Sequence, residues 1–388
     1  MIAIDWMRQR DGHDSSKVTM VELFFDLIFV FAVTQLSHGL IENQTLEGGL
    51  HTVLLFMAVW WLWIFTSWIT NWLNPETLAV RLMLFALMLG GLLMSASIPE
   101  AFGAKGWIVG SVFAAMQVGR TLFMLLATRT QPRLLRNFQR ILIWLCASGL
   151  CWIAGGFAQP ELRVAWWLAA LAIEYVSPFA RFWVPGLGRS QTSDWNIDGA
   201  HMAERCMLFV IIALGESILV TGATFAKLPP SASTLSVFVA CFVGSLAMWW
   251  VYFDSGAERA THRITHSEDP GRIARLSYNY LHLPIIFGII VCAVADEIVL
   301  LHPDHADTFG IAVIMGGPAI YLLGNALFKW VSNDRALPPL SHLAGLLLLG
   351  IATVLAITQH YRPMNLSFIT TGIMVLVAIW ESRALRRK

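Results

Sequence analysis

The sequence lacks the features that mark most soluble enzymes and nucleic-acid-binding proteins. Only 13% of its 388 residues are charged, against about 25% in soluble domains. The formal net charge of +1 argues against nucleic-acid binding. The five cysteines show no metal or redox spacing, and no phosphate-binding glycine loop, dinucleotide fingerprint, nucleophile elbow or His-Glu-x-x-His motif is present. We therefore expect no cofactor, no metal and no enzymatic activity.

What the chain has instead is a series of long apolar runs. Each run is roughly long enough to cross a bilayer as a helix. The links are short and often marked by Pro or Gly, as at Asn74-Pro75 and Pro229-Pro230. The sequence predicts an all-α polytopic membrane protein of about 12 transmembrane helices. The predicted spans are 20–40, 50–71, 78–98, 106–128, 138–157, 163–183, 201–225, 233–254, 274–300, 308–330, 341–360 and 364–381.

Lys and Arg are distributed unevenly between the links. When the links are assigned to alternate sides of the membrane, 21 of the 26 Lys and Arg residues fall on the same side as the two termini, and four fall on the other side. Those four are Lys105, Arg163, Lys227 and Arg362, and Arg120 alone lies inside a span. Because links rich in Lys and Arg stay in the cytoplasm, we expect both termini to be cytoplasmic.

The two halves of the chain resemble each other, in the same order. Trp60-Trp61-Leu62-Trp63 in the second span matches Trp249-Trp250-Val251-Tyr252 in the eighth. Six spans per unit would give both halves the same orientation, with a polar path or site between the bundles. A duplicated scaffold without a path is the alternative. The predicted parts are an N-terminal tail (1–19), a first six-helix repeat (20–184), a cytoplasmic linker (185–200), a second six-helix repeat (201–381) and a basic tail (382–388).

Glu22 and Asp26 lie one helical turn apart inside the first apolar run. Charge at membrane depth is costly, so an acid pair there indicates a functional site. At i, i+4 spacing both carboxylates share one helix face and can share a proton, a cation or an Arg partner. We expect Arg120 and Arg81 to be the counter-charges. Such a pair can take up and release a proton.

Other ionisable residues complete a set of candidates, for which purely structural roles stay open. Glu22 could cap the first span, Arg120 could clamp the bundles, and His282 could be a hydrogen-bonded core residue. In the expected orientation, most of these candidates lie in the cytoplasmic half of the membrane, as does Asn71. Glu216 lies deeper in the membrane. The proton- or ion-binding candidates are Glu22, Asp26, Arg120, Glu204 and Glu216; the secondary candidates are Arg81, Glu174, Arg205 and His282.

Two stretches carry a resemblance to a known family. Val21-Glu22-Leu23-Phe24-Phe25-Asp26-Leu27-Ile28-Phe29-Val30-Phe31-Ala32 closely resembles the bacterial low temperature requirement A (LtrA) family. His201-x-x-Glu204-Arg205 through Ile211-Ile212-Ala213-Leu214-Gly215-Glu216-Ser217 agrees with the same family. The resemblance covers essentially the whole chain and implies a multi-pass protein of the bacterial inner membrane. The family name records a cold-growth phenotype and does not settle the activity.

A second resemblance concerns the first span alone. The segment Phe25–Ala32 looks like the Phe-Ser-Asp motif in the first helix of potassium/proton channels with six-span repeats, although Phe25 stands where those channels have Ser. Our first hypothesis is a proton-coupled transporter of a small solute or ion. An ion channel and a non-transporting membrane scaffold are the alternatives. The expected partners are the lipid bilayer and a small solute or ion, with no nucleic acid. A second copy of the chain is a further candidate partner.

Overall fold

The computed structural model describes residues 6–8, 17–191, 194–254, 256–267, 269–332, 337–359 and 361–386. These residues form helices joined by short links, and they contain no β-strand beyond two isolated bridges. The helices are α1 (Met20–Glu42), α2 (Leu46–Trp72), α3 (Leu78–Ser95), α4 (Gly106–Ala127), α5 (Pro132–Phe157), α6 (Pro160–Val176), α7 (Gly199–Phe225), α8 (Ala232–Phe253), α9 (Gly256–Thr265), α10 (Pro270–Ile273), α11 (His282–Leu301), α12 (Thr308–Ser332), α13 (Leu340–Gln359) and α14 (Pro363–Arg386).

Eleven helical stretches in the described part of the chain are long and apolar enough to cross a membrane. They correspond to every predicted span except the sixth, where α6 has 17 residues. The predicted all-helical, multi-span character is therefore confirmed. The orientation of the termini and the arrangement in two repeats stay predictions.

Local sequence signals explain where several helices begin. Pro132, Pro160 and Pro363 stand at the first position of α5, α6 and α14, where the missing N–H of Pro costs no helical hydrogen bond. Ser231 caps α8, since its hydroxyl accepts a hydrogen bond from the Thr234 amide at 3.0 Å. Asp269 caps α10 in the same way.

The chain forms two compact units. The first comprises residues 1–36, 51–205 and 268–275. Its core is built on α2, in which Trp60, Trp61 and Trp63 are fully buried. In this unit α4 packs against α3 and α5, and α5 packs against α6.

The second unit comprises residues 37–50, 206–267 and 276–388. In it α11 packs closely along α12, and a Cβ placed on Gly288 would lie 2.6 Å from the Tyr321 amide nitrogen. Small residues at such positions allow two membrane helices to approach each other. Helix α14 packs on α8 and α13, and α12 contains Pro318.

Candidate functional site

The acid pair of α1 lies inside the first unit and not on its surface. Glu22 and Asp26 both have 0% of their surface exposed. Their spacing of four residues places them on one face of the helix, as predicted. Buried carboxylates need partners, because an isolated charge in an apolar interior is very unfavourable.

Glu22 is held by three residues. Its Oε2 accepts hydrogen bonds from Arg8 Nη2 at 2.8 Å and from the Thr19 amide and hydroxyl at 2.9 Å each. Its Oε1 lies 2.9 Å from Nε2 of His201 on α7. Both carboxylate oxygens are therefore satisfied, and the Arg8 guanidinium provides a counter-charge.

Asp26 is bound asymmetrically. Its Oδ1 accepts hydrogen bonds from Arg205 Nη2 at 2.8 Å and from the Trp63 indole nitrogen at 2.7 Å. Its Oδ2 has no hydrogen-bond partner among the described residues. One oxygen of this buried carboxylate is thus fixed by protein, while the other remains able to accept a proton.

Arg205 lies between the two acids. Its guanidinium forms an ion pair of 2.8 Å with Asp26 and lies 3.9 Å from Glu22 Oε1. It is fully buried and stands over the Trp63 ring at 5.6 Å from the ring centre, within the range of a cation–π contact. A single cation on α7 therefore serves both carboxylates of α1.

His201 connects Asn71 with the acid pair. The Asn71 side chain is fixed by two hydrogen bonds to the backbone of Asp198: its Nδ2 donates to the carbonyl and its Oδ1 accepts from the amide, each at 2.8 Å. Asn71 Nδ2 is therefore a donor, and it lies 3.2 Å from His201 Nδ1. Nδ1 can accept from this amide, and Nε2 lies 2.9 Å from Glu22 Oε1 and 3.2 Å from the donor Arg8 Nη2. The guanidiniums of Arg8 and Arg205 pair with the carboxylates of Glu22 and Asp26, and the imidazole of His201 lies beside Glu22.

The predicted partnership of the acid pair with Arg120 and Arg81 is wrong. Arg120 Nη1 donates to the Leu62 carbonyl at 3.0 Å and to the Thr66 hydroxyl at 2.7 Å, while Nη2 donates to Gln117. Arg81 is exposed and donates to the carbonyl of Glu76 near the start of its own helix. The cause is tertiary packing: the acids lie against α7, so a cation of α7 reaches them.

Arg120 and Glu174 belong to a second buried polar cluster of the first unit. Gln117 connects them, because it accepts from Arg120 and donates to Glu174 Oε2 at 3.2 Å. Glu174 also accepts hydrogen bonds from the Ser148 hydroxyl and the Trp152 indole nitrogen. The secondary candidate Glu174 is thus buried at 1% exposure and fully hydrogen-bonded.

The remaining candidates lie outside both clusters. Glu204 is half-buried and accepts from the Val18 amide at 3.2 Å. In the second unit, Glu216 is buried with the Ser37 hydroxyl 3.4 Å away. His282, also in the second unit, lies 2.7 Å from the Tyr252 hydroxyl and 3.0 Å from the Ser277 carbonyl.

Sequence reasoning missed Arg8, Trp63 and His201 as members of the network. A usable signal existed for His201, because His201 and Arg205 repeat on α7 the i, i+4 spacing of Glu22 and Asp26 on α1. The contacts pair the two sets in order, His201 with Glu22 and Arg205 with Asp26, each 179 residues apart. In the first unit α1 and α7 therefore run in the same direction.

Comparison with known proteins places these residues in a family. The family model described as "Bacterial low temperature requirement A protein (LtrA)" matches residues 17–379. This chain belongs to the LtrA family. An uncharacterized protein of Rhizobium meliloti (strain 1021) is 41% identical to it over 384 residues, which cover 98% of this chain and 92% of that protein. No solved structure matches the chain.

Proposed function

We propose that this LtrA-family protein is a proton-coupled transporter of a small solute or ion, in which Asp26 takes up and releases the coupling proton. The observation that carries the proposal is the asymmetric binding of Asp26. Its Oδ1 is held by Arg205 and Trp63, and its Oδ2 has no partner among the described residues. Ionisable groups inside membrane helices are costly and typically belong to ion paths or proton relays.

Arg205 provides the means to couple protonation to movement. When Asp26 is ionised, Arg205 binds it at 2.8 Å and stands 3.9 Å from Glu22. A proton on Asp26 removes the charge that holds the guanidinium, and Glu22 is the nearest remaining anion. Protonation would thus shift Arg205 between two acids that lie on the same helix face. Such a shift between α7 and α1 is the local event that we propose to be coupled to solute movement.

The parallel pairing of α1 and α7 supports the predicted architecture. These helices begin the two predicted six-helix repeats, 20–184 and 201–381, and parallel repeats require their first helices to run in the same direction. We propose that the repeats are related by an axis along the membrane normal, that both termini are cytoplasmic, and that the protein lies in the bacterial inner membrane. Rocking of one repeat against the other would then expose the site alternately.

The proposal is tested by proton flux in proteoliposomes containing the full chain. Proton entry is driven by a membrane potential that valinomycin sets through a potassium gradient. The internal pH is followed with trapped pyranine. The solutes added are a panel of amino acids, sugars and alkali-metal chlorides. We expect at least one solute to accelerate proton entry in the wild type, and Asp26→Asn to reduce the rate to that of empty liposomes. Because this variant leaves the buried Arg205 with Glu22 Oε1 at 3.9 Å as its nearest anion, its folding is checked by thermal unfolding in detergent before the fluxes are compared.

Glu76→Gln is the matched control, since Glu76 is an exposed acid of the same unit. It makes the same change from carboxylate to amide and should retain the wild-type flux. A folded Asp26→Asn protein with wild-type flux would refute the role of Asp26. A conductance far above the turnover of a carrier would identify a channel instead.

A further inference from the structure

The second unit contains a small, partly open cavity that the proposed proton site does not use. Its volume is about 40 Å³. A cavity needs about 10–15 Å³ to hold one water molecule, so this one has room for a small ion and a water molecule. Residues of α8, α11, α12 and α14 line it, and among the described residues of this lining Asp296 of α11 is the one carboxylate.

Hydroxyl groups surround this carboxylate. Thr221 and Ser217 of α7 lie with their hydroxyl oxygens 3.2 Å and 3.4 Å from Asp296 Oδ2. The hydroxyl of Ser245, on α8, lies 3.2 Å from that of Ser217. Each hydroxyl has lone pairs that it can turn towards a cation. Asp296 and Ser245 thus line the cavity, and Ser217 and Thr221 are connected to them from α7 without lining it.

Pro318 releases one main-chain carbonyl of α12 from its helical hydrogen bond. It lies inside α12 and has no N–H, so the carbonyl of Ile314 cannot receive the usual hydrogen bond from four residues further on. Ile314 and Pro318 both line the cavity. Helix carbonyls freed in this way coordinate cations in membrane transporters.

Asp296 has no protein counter-charge in the described part of the chain. Among the described residues it has no salt-bridge partner, in contrast to Asp26, which is paired with Arg205. A carboxylate inside a membrane helix must be neutralised by a cation or a proton. One carboxylate with neutral oxygens matches a single positive charge, whereas divalent ions in proteins are usually held by several carboxylates.

We propose that this cavity binds a small monovalent cation of the sodium type through Asp296, Ser245 and the carbonyl of Ile314, with Ser217 and Thr221 positioning the carboxylate. Carboxylate, hydroxyl and carbonyl oxygens suit hard cations. The cavity is also lined by the sulfur atoms of Cys241, Met248, Cys292 and Met374, which would suit a soft ion such as Ag⁺ or Cu⁺. Cys241 is itself hydrogen-bonded to Asp296, but the negative charge of the site lies on the carboxylate oxygens, which favour the hard ion.

Sodium binding to the purified full chain in detergent tests the inference. The thermal unfolding midpoint is measured against NaCl, with choline chloride keeping the ionic strength constant, and binding of ²²Na⁺ is measured in parallel. The wild type should show a saturable rise of the midpoint and saturable binding. Asp296→Asn should lose both. Thr221→Val, which removes one hydroxyl at nearly constant volume, should weaken sodium affinity several-fold and covers the case in which Asp296→Asn does not fold.

Glu297→Gln is the matched control, because Glu297 is the neighbouring acid on α11 and does not line the cavity. It should bind sodium as the wild type does. Wild-type binding by a folded Asp296→Asn or unchanged affinity in Thr221→Val would overturn the inference. Two other outcomes would also overturn it. If the unfolding midpoint responds to pH but not to Na⁺, Li⁺ or K⁺, the site binds a proton. If the midpoint responds to Ag⁺ alone, the site binds a soft metal. Asp26→Asn should keep sodium binding, so this result and the flux result are independent.

Discussion

At the scale of single residues, the sequence shows the acids more readily than their partners. Glu22 and Asp26 share one helix, so their common face follows from spacing alone. Their partners His201 and Arg205 lie 179 positions further along the chain, and only the packing of α7 on α1 brings them together. Asp296 was missed for a related reason. Its hydroxyl neighbours are scattered along α7 and α8, and no short motif contains them.

Removal of the buried cation should strongly destabilise the first unit. Arg205→Gln leaves the Asp26 carboxylate buried without its ion-pair partner. Breaking a buried ion pair from one side costs about 3–5 kcal/mol. We expect a loss of that size in the free energy of unfolding, measured by denaturant titration in detergent.

A double variant and a surface control test the physical reason for this loss of stability. Asp26→Asn combined with Arg205→Gln removes both charges and should recover part of the loss, because no unpaired charge remains. Arg81→Gln, at an exposed position, should change the free energy of unfolding by less than about 0.5 kcal/mol. Equal losses in the Arg205 and Arg81 variants would contradict the ion-pair assignment.

At the scale of helices, apolar runs predict the elements well and their ends less well. Helix α6 ends at Val176, several residues before the predicted limit of 183, and the chain then turns through Arg181 and Phe182, which have positive φ. The predicted span 274–300 is divided into a π-helix at Ala274–Tyr280 and α11 from His282. Hydropathy is similar on both sides of such breaks, so it does not reveal them.

The close approach of α11 and α12 gives a prediction for glycine. A Cβ on Gly288 would lie 2.6 Å from the backbone nitrogen of Tyr321, so Gly288→Ala must push the helices apart. Overpacking of this kind typically costs about 1–3 kcal/mol. We expect a corresponding fall in the free energy of unfolding and weaker sodium binding, because Asp296 lies on α11.

Gly316 of α12 is the control for Gly288. No heavy atom outside its own helix turn lies within 4 Å of a Cβ at Gly316 in the described part of the chain. Since Ala favours a helix over Gly by about 0.5–1 kcal/mol, Gly316→Ala should be neutral or stabilising. Equal destabilisation by both substitutions would show that the helix contact is not the cause.

At the scale of the whole molecule, composition predicts the membrane class and the family model confirms the LtrA family. Composition does not identify the solute, because the sequence contains no motif that recognises one. The orientation derives from the Lys and Arg distribution and has a separate consequence. The links after odd-numbered predicted spans should face away from the cytoplasm, and the links after even-numbered spans should face it.

Labelling of single cysteines in a background without the five native cysteines tests that orientation. Lys227→Cys and Arg259→Cys both place a thiol at an exposed position, on links of opposite predicted side. A membrane-impermeant maleimide added to intact spheroplasts should label the Lys227 variant and spare the Arg259 variant until the cells are opened. The reverse pattern would invert the predicted topology and place Asp26 near the outer face.

The most direct measurement of the central claim is infrared difference spectroscopy of Asp26 during a change of pH. For the purified wild type, Asp26→Asn and Glu76→Gln, the infrared spectrum in alkaline buffer is subtracted from the spectrum in acid buffer. We predict that the wild type and Glu76→Gln show a carboxylic-acid C=O band that Asp26→Asn lacks, because the proton sits on that side chain. Identical difference spectra for all three proteins would mean that Asp26 does not exchange a proton, and the account of transport would fail.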